Sequence, residues 1–147
     1  SMREAEGQRL TEDILSRLAE VEKLVGLVEE RSPQTVEAYR ERLAAKIQEV
    51  LADRQIDETR IITEAAIFAD RVAVDEETVR LHSHIAQFKE ILESGGCVGR
   101  KLDFLVQELN REANTIGSKA QDAQMARIVV ALKSNIEKIR EQIQNLE

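Results

Sequence analysis

Apolar residues recur at spacings of three and four along almost the whole chain, the period of a helix with one buried stripe. The first run covers residues 2–31, with Leu10, Ile14, Leu18, Val21, Leu24 or Val25, and Val28 at the apolar positions. Charged residues fill the gaps, so the stripe is narrow and needs a partner helix. Ser32-Pro33 follows, a serine that suits an N-cap and a proline that suits the first helical position. The pair predicts a restart and a second helix to about residue 53, with Val36, Tyr39, Leu43, Ile47, Val50 and Leu51 on its apolar side. Two long helices joined by so short a turn are expected to fold back as an antiparallel hairpin over residues 3–56.

Beyond it, Asp57 predicts the N-cap of a helix over 58–71 bearing Ile61, Ile62, Ala65, Ala66, Phe68 and Ala69. Val72-Ala73-Val74 reads as a connection. Asp75, Glu76 and Glu77 form an acid-rich start, which suits the positive end of a helix dipole, for a helix over 76–93. Its apolar set is Val79, Leu81, Ile85, Phe88, Ile91 and Leu92, and Ser94-Gly95-Gly96 stops it. In the stretch 99–117, Leu102, Leu105, Val106, Leu109, Ala113 and Ile116 fall within an arc of roughly 100°. Ser118-Lys119-Ala120-Gln121 has the form of a capping box and predicts a last helix to the C-terminus. The stripe of that helix is Ala123, Ile128, Val129 or Val130, Leu132, Ile136, Ile139, Ile143 and Leu146. The fold class is all-α: a long hairpin, then a bundle of three to four further helices over 57–147. The sequence has no Gly-rich phosphate loop, strand-turn-helix pattern or internal repeat.

Composition narrows the classes. A chain of 147 residues suffices for one domain, or for a few long helices around a limited core. Ser1-Met2 reads as a tag remnant and is set aside. No apolar run reaches the ~18 residues of a membrane span and no leader pattern is present, so a soluble, cytoplasmic protein without a membrane partner is expected. Cys97 has no His or Cys neighbours at ligand spacing and is taken as incidental. The net charge of −7 weighs against nucleic acid, but its distribution softens the objection. Residues 1–98 carry 13 basic and 21 acidic side chains, whereas residues 99–147 carry 8 and 7.

The candidate chemistry gathers in residues 99–120. Arg100, Phe104, Gln107, Arg111 and Asn114 share the face opposite the apolar stripe, and Lys101, Glu108, Glu112 and Thr115 lie along the shoulder. No nucleophile motif accompanies either histidine. His82 and His84 point about 200° apart on a helix and cannot share an ion. His84 sits near the apolar stripe with Arg80 and Phe88, and reads either as an interface histidine or as a ligand. Glu108 and Glu112, at i and i+4, meet on one face. They are either a salt-bridged surface pair, with Lys101 or Arg111, or a carboxylate pair for a metal. Together with His84 they would suit Mn²⁺ or Mg²⁺, with Glu64 and Asp70 as further candidate ligands. Arg100, Lys101, Arg111 and Lys119 would then hold phosphates while Phe104 stacked on a base.

The run GRKLDFLVQELNREANTIGSKAQDA, RLHSHIAQFKEIL before it and the terminal KIREQIQNLE closely resemble the C-terminal helical region of the YicC-like family. MREAEGQRLTEDIL resembles the segment where that family's N-terminal domain hands over to the helical part. The resemblance covers essentially the whole chain after the first residue. It implies a bacterial endoribonuclease that is metal-dependent, favours manganese, acts on RNA and assembles as a homo-oligomer, a hexamer at full length. It also implies an excised C-terminal fragment, since family members carry a further N-terminal domain. The matching positions are Arg80, Leu81, Ser83, His84 and Phe88, then Gly99, Arg100, Lys101, Asp103, Phe104, Gln107, Glu108, Asn110, Arg111, Glu112, Asn114, Thr115, Ser118 and Lys119. Residues 64–70 match less distinctively. His82 stands where relatives commonly have arginine, and Cys97 where proline is frequent. The expected function is phosphodiester hydrolysis, with His84, Glu108 and Glu112 as catalytic and metal-holding residues. Arg80, Arg100, Lys101, Phe104, Asn110, Arg111, Asn114 and Lys119 are the expected RNA contacts. The rival is a non-catalytic scaffold that assembles and clamps RNA while the chemistry lies in the other domain.

Overall fold

The computed structural model describes residues 2–51, 57–96 and 98–146. Ser1, Cys97 and the expected helix end at Asp53 lie outside the described residues. Within the described residues five helices follow one another: α1 (Met2–Leu51), α2 (Glu58–Arg71), α3 (Asp75–Ser94), α4 (Gly99–Lys119) and α5 (Ala123–Leu146). Among the described residues there is no strand, so the all-α reading holds. Nor is any helix of the described residues long and apolar enough to cross a membrane.

The hairpin expected over 3–56 is not formed, because α1 runs unbroken through Ser32 and Pro33 for 50 residues. At 1.5 Å per residue that is a rod of about 75 Å. An interior proline costs about 3 kcal/mol relative to alanine, and tertiary contacts flanking it offset the cost. On one side Arg31 makes two bonds to Asp122 Oδ2, at 2.9 Å from Nε and 2.6 Å from Nη2, tying α1 to the start of α5. On the other, Tyr39 stacks on Phe68 of α2 with ring centroids 3.9 Å apart. Ser32 does not cap a new helix; its carbonyl accepts the Thr35 hydroxyl at 2.7 Å.

The N-terminal half of α1 joins α3, α4 and α5 in a four-helix bundle, in which α1 packs on α5, α5 on α4, α4 on α3 and α3 on α1. One core unites Ile14, Leu18, Val21, Leu24, Val25 and Val28 with Leu81, Ile85 and Phe88 of α3 and the stripes of α4 and α5. All six expected apolar residues of α4 are buried. The outer half of α1 leaves this core and carries α2, whose Ile61, Ala65 and Phe68 are buried outside it. Val50, Ile62 and Val79, expected on apolar stripes, are exposed instead, and of the alternatives Val129 and Val130 it is Val129 that is buried.

Helix ends follow local chemistry with one further correction. Asp57 caps α2 as expected, its Oδ1 accepting from the Arg60 N–H at 3.3 Å. Gly95 and Gly96 end α3 at φ 70° and 84°, left-handed values that favour glycine. The capping box at Ser118 is not made: Ser118 Oγ donates to Thr115 O inside α4 at 2.8 Å. Asp122 caps α5 instead, accepting from the Met125 N–H at 2.7 Å. The helix can only restart after the extended residue Ala120 (φ −64°, ψ 127°) has broken α4.

Candidate functional site

α3 and α4 pack side by side, and their core residues set the direction of everything next to them. Burial of Leu81, Ile85 and Phe88 holds α3 in one rotation, and burial of Leu105, Val106, Leu109 and Ala113 holds α4 in another. In those rotations His84 meets Glu108 and Glu112: one potential ligand atom from each lies within 4.8 Å of the other two. His84 and Glu108 are half-buried. Glu112 is only 3% exposed, deeper than a shoulder position suggests, because α3 covers it.

Charge around the cluster is matched rather than free. Arg80 Nη1 lies 3.6 Å from Glu112 Oε2, and Arg111 Nη2 lies 3.8 Å from Glu108 Oε1. His84 Nδ1 is buried and has no hydrogen-bond partner among the described residues. A ring nitrogen in that state is costly unless a ligand or an ordered water satisfies it. The residues present therefore fit a cation: one imidazole and two carboxylates are a donor set that divalent first-row metals accept.

The remaining candidates do not share one place. Lys101, Phe104 and Arg100 line a groove of about 370 Å³ with Leu105 and, from α3, Gln87 and Ile91. Phe104 stands 59% exposed there, one helical turn from Glu108. Asn110 and Asn114 are exposed, but at 100° per residue they point about 120–160° away from Glu108 around α4. Lys119 is held at the other end of the helix, donating to Ala73 O at 2.7 Å and pairing with the buried Glu77 at 3.0 Å. Glu64 pairs with Arg60 on α2 at 3.1 Å. Neither Glu64 nor the exposed Asp70 joins the metal-capable group among the described residues. His82 is bonded to Glu29 of α1 at 2.8 Å, away from the cluster.

Sequence reasoning passed over two features. Gln87 carries no individual signal; only its place one turn beyond His84, on the side facing α4, could have marked it. The Glu77–Lys119 pair joins residues 42 apart, and nothing local announces it.

Over residues 28–147 the chain matches the family described as endoribonuclease YicC-like, C-terminal. It belongs to that family. It is 48% identical to a probable endoribonuclease YicC of Clostridioides difficile strain 630 over 147 residues, covering 99% of this chain and 50% of the relative. It is 42% identical to a probable endoribonuclease YicC of Haemophilus influenzae over 147 residues, covering all of this chain and 50% of the relative. The chain thus spans about half the length of the curated relatives it matches. The YicC-like match includes α2 to α5 and so the entire His84–Glu108–Glu112 cluster, and the two relatives extend the likeness to the bundle half of α1.

Proposed function

We propose that this chain is the metal-bearing helical region of an endoribonuclease that hydrolyses phosphodiester bonds in single-stranded or structured RNA. The convergence of His84, Glu108 and Glu112 from two helices within 4.8 Å carries the reading, and the family gives the substrate class. His84, Glu108 and Glu112 would hold the cation, with Mn²⁺ ahead of Mg²⁺ because one donor is an imidazole nitrogen. When bound, the ion supplies Lewis acidity and lowers the pKa of water. The protein's own groups do the rest. The buried carboxylate of Glu112 fixes the position of the site in the bundle. Arg80 and Arg111 stand at its edge, where guanidiniums suit bidentate phosphate contacts. Arg100 and Lys101 carry charge along the adjoining groove, and Phe104 offers its ring to an unstacked base.

Titrating the chain with MnCl₂ by calorimetry is the direct test. Uptake near one ion per chain, lost in Glu108→Gln, is the expected result. No uptake by a folded chain would sink the metal reading, and unchanged RNA cleavage by full-length Glu108→Gln and His84→Ala proteins would sink the catalytic assignment. One observation favours an assembly role for the outer arm. Val50, Ile62 and Ile67 are exposed on the α1–α2 projection, which suits burial against another copy in a homo-oligomer. Under the scaffold alternative that arm and the groove would hold RNA, and mutation of the cluster would leave cleavage intact.

A further inference from the structure

Each carboxylate of the cluster carries its own guanidinium, and the two kinds of group differ in freedom. Glu112, 3% exposed, sits on a helix face locked by the core. Glu108, with a side chain 18% exposed, is nearly as confined. The arginines are not: the Arg80 side chain is 52% exposed and that of Arg111 74%. Their contacts, at 3.6 and 3.8 Å, exceed the roughly 2.7–2.9 Å of a strong charge-assisted hydrogen bond. Arg80 is already shared with a second partner, the largely exposed Glu76 one turn back, also at 3.6 Å, which can keep it when Glu112 lets go.

Two carboxylates and two guanidiniums sum to zero charge. A buried carboxylate without a counter-charge costs several kcal/mol, so without a cation the cluster needs Arg80. A divalent cation would set four positive charges against the two negative ones of Glu108 and Glu112, with the solvent-exposed Glu76 beside Arg80 in addition. The group that yields is the one that can reach water. We infer that Arg80, with Arg111 in a lesser part, is a positioning residue that compensates the cluster until a divalent cation displaces it. It then turns to an RNA phosphate at the rim. Metal and RNA therefore bind with positive coupling through Arg80, and by linkage each raises the affinity of the other equally. This inference rests on the metal reading above.

The test uses three chains, wild type, Arg80→Gln and Arg80→Lys, each checked for an unchanged helical circular-dichroism spectrum. Mn²⁺ affinity is read by calorimetry, and affinity for a single-stranded oligoribonucleotide by fluorescence anisotropy with and without Mn²⁺. Removing a half-exposed competitor raises Mn²⁺ affinity in Arg80→Gln roughly two- to fivefold, the scale of one exposed ion pair. The same variant loses part of the Mn²⁺-dependent gain in RNA affinity, and Arg80→Lys, which keeps the charge, stays near wild type on metal. A purely structural Arg80 would lower both affinities. Equal or weaker Mn²⁺ binding by Arg80→Gln overturns the displacement while leaving the metal site standing. No Mn²⁺ uptake by wild type overturns both.

Discussion

Glu112→Gln should make the metal-free protein slightly more stable while abolishing its response to metal. The substitution keeps the volume and removes one charge from a side chain that is 3% exposed. Two carboxylate oxygens up to 4.8 Å apart repel by about 3.5 kcal/mol at an effective dielectric near 20. Arg80 and Arg111, at 3.6 and 3.8 Å, cancel most of this, though both are open to solvent and screened. A net repulsion of about 1 kcal/mol remains, or roughly 2–4 °C in Tm for a chain of this size. Thermal unfolding in EDTA measures that gain. Repeating it with Mn²⁺ at a hundred times Kd should stabilise the wild type by about 2.7 kcal/mol and leave Glu112→Gln unmoved. Destabilisation by more than about 2 kcal/mol in EDTA, with the Mn²⁺ shift retained, would mean that Glu112 is a structural residue and that the repulsion argument is wrong. Stability gained where function is lost is the mark of a site held against its own electrostatics.

Asp122→Ala should cost about 2–3 kcal/mol, the loss of an N-cap together with a charge-assisted pair to Arg31. Burial pushes the Asp122 carboxyl upward, but the Met125 N–H and the Arg31 guanidinium outweigh it and hold the group below the usual aspartate range. Its contribution is therefore complete above the unfolded value of about 3.9 and is lost as pH falls through the lower folded value; chemical denaturation at several pH values should show the gap between wild type and variant closing below about pH 4. Pro33→Ala should stabilise the chain by about 1–3 kcal/mol, since it restores a mid-helix hydrogen bond; a lower denaturation midpoint would show that α1 depends on a break there. Phe104→Ala should change stability by less than about 0.5 kcal/mol, as the ring is 59% exposed, yet weaken RNA binding by about 1–3 kcal/mol in anisotropy titrations; unchanged affinity would remove Phe104 from the interface.

What was legible in the chain divides by the range of the interaction that decides it. The α4 stripe was readable because one helical period places Leu102 to Ile116 on one side, and all six are buried. Glu108 and Glu112 were readable as a pair for the same reason. Their meeting with His84 is a contact between helices, and periodicity alone offered it only as one option among several; the likeness to YicC-like sequences raised the functional reading of residues 99–120 as a whole without assigning metal ligands, and the rotations of α3 and α4 bring the three together. Ser32-Pro33 misled because its local chemistry suits a helix start. What keeps α1 continuous is distant: Asp122, 91 residues away, gripping Arg31, and Phe68 stacking on Tyr39. The same limit explains Lys119, a plausible phosphate ligand by charge and position on the helix. A buried Glu77 and the Ala73 carbonyl engage it, which makes it a fastener between the start of α3 and the end of α4. Charge on a helix face is thus weak evidence of a ligand site until the opposing helix is known. At Glu112 the opposing helix brings a histidine and a loosely held arginine, groups that can exchange partners; at Lys119 it brings a fixed counter-ion and a carbonyl, which leave nothing to exchange.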